Sequence, residues 1–348
     1  MAPDVNKYDP VCRGGTTTLI LDRDGQLIKH AGSLAGTYNN CAGGPTPWGT
    51  WVTCEENTSM PGQNTVTKPH GYNFEVEADD CGFVAPEPLK AMGRFNHEAI
   101  AVDPETGWVY QTEDRGDSCF YRFRPTIPED LKSGGVLEAL VIKGISRADT
   151  RTRFAANLGT PLATEWVTID EPDPLTDTVR QQAQRKGAAM FNRGEGAWYG
   201  EGKVYFVCTE GGDARQGQVF AYDCAAGTLT LFVESVKAAA LPYSDPSWDA
   251  ESIAGNGGYV VAAPDNVTFG PDGRLYLCED GNGVEKVVAV NPAGDLFEVL
   301  RNLHNDSEFA GACFSPNGQL MFLNMQDPGI TFVIRGPWRR GVRRRQRC

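Results

Sequence analysis

Asn39-Asn40-Cys41-Ala42-Gly43-Gly44-Pro45-Thr46-Pro47-Trp48-Gly49-Thr50-Trp51-Val52-Thr53-Cys54-Glu55-Glu56 opens near a thiol, turns through a Gly/Pro cluster, runs along a β-rich segment and closes on paired carboxylates. The plan recurs four times. It returns as His97-Glu98 to Glu113-Asp114, as Arg193-Gly194-Glu195 to Glu210, as Asp265 to Glu279-Asp280, and as Glu308 to Asp327. From opening residue to closing acid the first four copies span 14, 15, 15 and 14 positions (41 to 55, 98 to 113, 195 to 210, 265 to 279). One hairpin geometry used repeatedly explains that constancy. Short antiparallel units joined by Gly/Pro turns, none able to bury both faces alone, are the sequence form of a β-propeller. The expected fold is therefore all-β, a β-propeller whose first blade is incomplete.

Outward from this stretch, Thr16 to Asp22 and Gln26 to His30 read as two strands around an Arg23-Asp24-Gly25 turn, with no earlier strands to complete a blade. Asp22 and Asp24 lack the further acids of a calcium-binding EF-hand. Residues 126–190 read as an insertion on one face, with strands at Val136 to Ile142 and Glu165 to Ile169 and a helix from Asp177 to Gly187. Trp51, Trp108 and Trp198 are expected in the core, with Cys54, Cys208 and Cys278 packing between blades. Residues 1–338 are taken as a single catalytic domain and 339–348 as a disordered basic tail.

The 348 residues carry a net charge of -13, but the last fourteen contain seven arginines and no acid, which leaves 25 basic against 45 acidic residues in the body. Such a body repels nucleic acid and attracts cations. No apolar run approaches membrane-helix length, and no signal-like segment follows Met1, so neither a membrane nor export is expected from the residues themselves. Ten cysteines without a CxxC pair suggest neither a disulfide scaffold nor a zinc knuckle. Four histidines without metal-site spacing argue against an imidazole-built zinc hydrolase.

The opening residues Cys41, Glu98, Glu195 and Asp265, together with Glu308, are the candidate metal ligands. If carboxylates converge about 5 Å apart, they repel by roughly 3 kcal/mol per pair at an effective dielectric of about 20, so cations or shared protons are required. Hard carboxylates favour calcium, magnesium or ferric iron, and a thiolate favours a transition metal, so the set suggests a mixed cluster. Arg193 lies two residues before Glu195, on the same face of a strand. It either receives an oxyanion such as phosphate through its planar fork or neutralises Glu195.

NCAGGPTPWGTWVTCEE, FNHEAIAVDPETG, RGEGAWY, DNVTFGPDGRLYLCEDG and the closing ITFVIRGPW together resemble the PhoX-type alkaline phosphatase family, over nearly the whole chain from Gly14 to Trp338. The resemblance implies a six-bladed propeller with a pair of ferric ions and several calcium ions, hydrolysis of small-molecule phosphate monoesters, and a place in the periplasm or outside the cell; a monomer is expected. By motif, Cys41 would be an iron ligand, Glu98, Glu195 and Asp265 iron or calcium ligands, Glu55 and Glu56 calcium ligands, and Arg193 the phosphate-binding residue. A calcium-dependent propeller hydrolase of lactones or organophosphate esters is one alternative. A non-catalytic, calcium-stabilised propeller that binds a protein partner is another.

Overall fold

The structure, a computed structural model, describes residues 6–79, 82–240, 258–281 and 283–338, so the basic tail lies outside the described residues. The chain divides into two compact units, Met1–Glu234 and Ser235–Cys348. Among the described residues there is one α-helix; the rest of the regular structure is strand and short 3-10 turns.

In the first unit, β1 (Gly14–Leu21) and β2 (Leu27–Thr37) form a hairpin, and β3 (Asn40–Pro45), β4 (Thr50–Glu55) and β5 (Asn73–Glu77) form an antiparallel meander. A second meander runs through β6 (His97–Val102), β7 (Val109–Glu113), β8 (Tyr121–Ile127) and β9 (Asp130–Ile142), and β10 (Leu162–Thr168) adds to its outer edge. The helix α1 (Val179–Arg185) lies inside the expected 177–187 span; Gly187, at φ 95°, provides the left-handed exit. The third meander is β11 (Gly194–Gly200), β12 (Lys203–Cys208), β13 (Gln218–Asp223) and β14 (Thr228–Glu234). Four-stranded antiparallel meanders of this kind are the blade unit of a β-propeller.

The second unit repeats the theme in β15 (Pro264–Phe269), β16 (Leu275–Glu279), β17 (Lys286–Val290) and β18 (Leu296–Arg301), followed by the three-stranded β19 (Phe309–Phe314), β20 (Leu320–Met325) and β21 (Ile330–Arg335). All five repeats found in the sequence are hairpins: β3–β4, β6–β7, β11–β12, β15–β16 and β19–β20.

Side chains of successive sheets supply the cores. Phe120, Phe206 and Phe220 stack between the second and third meanders, with centroids 4.1 and 5.2 Å apart along the series. Cys54, Cys208 and Cys278 are fully buried, as expected. Trp51, Trp108 and Trp198 are only half-buried. For Trp108 the reason is visible: its ring lies against the Arg122 guanidinium at 4.5 Å, where an aromatic face serves a cation better than a closed apolar core would.

Candidate functional site

Each repeat hairpin breaks register at the same place. The ladder shifts between Cys41 and Gly44, His97 and Ile100, Gly194 and Ala197, Pro264 and Asn266, and Ala310 and Cys313. A bulge adds a residue to one strand, bends it and re-aims a side chain away from the pleat. Glu98, Glu195 and Asp265 are bulge residues, and Cys41 borders its own bulge. The constant spacing in the sequence therefore records a bulge repeated at the start of each hairpin.

Within the first unit these bulges converge. Gly43 of β3 pairs in parallel with Ala99 of β6, and β11 packs against β3, β6 and β7. Thr112 of β7 ties the arrangement together: its hydroxyl accepts from the Ala99 amide at 3.1 Å and donates to the Glu195 carbonyl. The result brings the Cys41 thiol and the Glu56 and Glu98 carboxylates within 4.8 Å of one another, with Glu98 and Glu195 at the same proximity. Glu98 and Glu195 are almost entirely buried. Burial, and next the charge of Asp114, push the Glu56 carboxyl up to about 7, against the pull of Arg193 and Arg115.

Glu55 is not among this group. Its side chain is fully buried and accepts from the Tyr38 amide (2.9 Å), the Gly71 amide (2.9 Å), the Tyr72 amide (3.3 Å) and His70 Nδ1 (2.7 Å). In the second unit, Asp265 sits at the start of β15, and its charge acts on Glu308. Burial, followed by the charges of Asp265 and Asp280, pushes the Glu308 carboxyl up to about 8.

Arg193 precedes β11 with φ 52°, its amide donating to the Arg115 carbonyl and its carbonyl accepting from the Thr209 amide. One edge of its guanidinium is clamped by Asp114, with Nε to Oδ1 at 2.8 Å and Nη2 to Oδ2 at 3.0 Å; Nη2 also reaches Glu195 at 3.0 Å. The other edge faces Glu210 at 3.9 Å, in an open cavity of about 350 Å3 that Arg151, Arg215 and Asn192 also line. The sequence reading missed Asp114, Thr112, Arg151 and Arg215. Asp114 closes the second repeat beside Glu113, and that place in the repeat was the one available signal. Chemically, the site offers a cluster of thiol and carboxylate donors for cations and, beside it, a fixed guanidinium for an oxyanion.

Residues 15–329 match the family model for alkaline phosphatase PhoX. Among solved structures the chain resembles Pseudomonas fluorescens PhoX in complex with vanadate, a transition state analogue, at 20% identity over 90% of this chain and 70% of that one, with a TM-score of 0.62. It also resembles, at a TM-score of 0.43 in both cases, the gluconolactonase XC5397 from Xanthomonas campestris (12% identity; 88% and 79% covered) and TolB from Acinetobacter baumannii (13%; 93% and 61%). A search of curated proteins returns no match. The likeness to the Pseudomonas protein is one of fold, in accord with the all-β, blade-built class read from the repeats.

Proposed function

The chain belongs to the alkaline phosphatase PhoX family and is a phosphatase; on that premise we propose that it hydrolyses small-molecule phosphate monoesters at the Cys41, Glu56, Glu98 and Glu195 cluster, with Arg193 holding the phosphoryl group. The observation that carries this reading is the convergence of three donors, Cys41, Glu56 and Glu98, within 4.8 Å beside a guanidinium fixed by Asp114.

The donor set fits metal ions. A thiol with several nearly buried carboxylates is a poor arrangement without cations, because each neighbouring pair of charges repels by roughly 3 kcal/mol at about 5 Å and an effective dielectric of about 20. Cys41 suits ferric iron, and Glu56, Glu98 and Glu195 suit iron or calcium. Asp265 in the second unit belongs to the same ligand class. Glu55 lies outside that donor cluster and accepts from Tyr38, His70, Gly71 and Tyr72 instead, so we assign it a structural role. When bound, such ions supply positive charge against the phosphoryl oxygens and against the charge that builds up during transfer.

The protein's own groups do the rest. Asp114 keeps the Arg193 fork in one plane, so its remaining N–H groups present a preformed oxyanion receptor with little reorganisation. Thr112 fixes the Glu195 backbone relative to β6 and so holds the carboxylates in register. Glu56, whose carboxyl is pushed up to about 7, gives up its proton as pH rises into the alkaline range, which suits a site that is assembled there.

The test is elemental analysis of protein purified without chelators, combined with p-nitrophenyl phosphate hydrolysis at alkaline pH with and without calcium. Iron and calcium with turnover are expected. Calcium alone with turnover of lactones and none of the phosphate ester would replace the reading with the lactonase one.

A further inference from the structure

Behind Glu55, away from the cluster just described, lies a second group of donors that the phosphatase reading does not use. Asp9, Cys12 and His70 are each buried, at 5% exposure or less, and one donor atom from each lies within 4.8 Å of the others. Asp9 and Cys12 come from one turn before β1, closed by the Cys12 amide donating to the Asp9 carbonyl at 3.2 Å. His70 comes from the loop before β5.

The distances discriminate between two accounts of the imidazole. If His70 were an imidazolium clasped by two carboxylates, both contacts would be short, about 2.7–2.9 Å for charge-assisted bonds. Only one is. Nδ1 lies 2.7 Å from Glu55 Oε1, whereas Nε2 lies 3.3 Å from Asp9 Oδ2 and 3.6 Å from Cys12 Sγ. Those two longer separations match the edges of a metal tetrahedron. With zinc bonds of about 2.0–2.1 Å to nitrogen and oxygen and about 2.3 Å to sulfur, tetrahedral angles put nitrogen about 3.3 Å from oxygen and about 3.6 Å from sulfur.

We propose that Asp9 Oδ2, Cys12 Sγ and His70 Nε2 form a zinc-type site, distinct from the Cys41 cluster, that pins the segment before β1 to the loop before β5. The second sphere is already built. Glu55 accepts the Nδ1 proton and so fixes the tautomer that leaves Nε2 free to ligate, the usual arrangement around a zinc-bound histidine. Asp9 is oriented by the Thr67 amide (2.6 Å), the Thr67 hydroxyl (2.7 Å) and the amides of Lys68 (2.9 Å) and Val11 (3.1 Å). One thiolate and one carboxylate balance a divalent charge, so the ion and its three ligands are neutral together, with the Glu55 charge held against the His70 N–H, and the thiol proton leaves to solvent on binding. The fourth position would be taken by a water ligand. The site explains why Glu55 is withdrawn from the other carboxylates: its charge serves His70.

To keep zinc from the Cys41 cluster, the full chain carrying Cys41→Ala is prepared metal-free, loaded with zinc and passed through a desalting column, and metal per chain is counted. One zinc per chain is expected, with one sulfur neighbour in the zinc-edge X-ray absorption spectrum and a raised thermal midpoint. Adding Cys12→Ala, or Cys12→Ser if a better volume match is needed for folding, should lose the bound metal and the thermal increment together. Zinc below about half an equivalent, a spectrum without sulfur, or full retention in the Cys12 variants would overturn the proposal. The absorption spectrum needs no Cys12 substitution, so a folding failure there leaves the test intact.

Discussion

Arg193 is clamped along one edge by Asp114, and its other edge, 3.9 Å from Glu210, faces a cavity where its planar fork could receive an oxyanion. Arg193→Ala should lower kcat/KM for p-nitrophenyl phosphate by roughly 100- to 1,000-fold, the cost of losing one preorganised donor, while iron and calcium content stay unchanged. Arg193→Lys should not restore the rate, because a single ammonium cannot span both Asp114 oxygens; full activity in the lysine variant would remove the fork from the mechanism. Cys41→Ala should abolish iron and turnover together, and full iron content in that variant would exclude Cys41 as a ligand. Cys41, Glu98 and Glu195 were legible in the sequence because a fixed spacing marks them. Glu55 and Glu56 look equivalent there. What separates them is the end of β4, which includes Glu55 and stops before Glu56, and the approach of His70, Gly71 and Tyr72 from a loop that no spacing encodes.

At the level of the element, the hairpins were readable and their bulges were not. Gly/Pro turns and alternating apolar residues are local signals, but the register shift between Cys41 and Gly44 depends on which residues of β4 lie opposite, a tertiary choice. Gly43 makes that bulge feasible. It sits at φ 69°, and a Cβ there would meet the Val52 carbonyl oxygen at 2.1 Å. Gly43→Ala should therefore destabilise the protein by more than about 1 kcal/mol and reduce iron binding, read from urea unfolding and metal content. An unchanged midpoint would mean that the strand tolerates another path. The end of β7 carries a second constraint. Glu113 is fully buried, and burial pushes its carboxyl up to about 7 despite the Arg180 guanidinium at 3.3 Å and the Tyr121 hydroxyl at 2.7 Å. Its folded pKa thus exceeds the unfolded one, so the folded state binds the extra proton. Stability from this group is intact below about pH 4.5 and is lost as pH rises to about 7, by roughly 3 kcal/mol in all. Glu113→Gln should lack that pH dependence, so the stability difference between variant and wild type in chemical unfolding should change by roughly 3 kcal/mol between about pH 4.5 and 7; a difference that does not vary with pH would show that the ion pair, not burial, governs Glu113.

For the whole molecule the dominant fact is its excess of acid, 45 acidic residues against 32 basic ones, drawn inward at the bulges and strand ends rather than spread over the surface alone. Composition and repeats made the all-β class legible, and the resemblance of the quoted motifs made the phosphatase family legible. The protonation states of the acids were not, because they depend on burial that only the packed sheets create. In the second unit, burial first and neighbouring charges next push both Glu285 and Glu308 up to about 8. Without cations these carboxyls hold protons at neutral pH and give them up at a cost to stability as pH rises through 8, since their folded pKa values lie above the unfolded ones. Calcium bound to ionised carboxylates would reverse that loss, and it competes with the protons. The stabilisation by calcium should therefore be larger at pH 9 than at pH 7, approaching about 2.7 kcal/mol where free calcium is a hundred times its dissociation constant. Thermal midpoints with calcium and with chelator at the two pH values measure it directly, with sodium chloride at matched ionic strength as the control. Equal increments at both pH values would mean that calcium binds elsewhere than at the protonated carboxyls, at acids that are already ionised at pH 7.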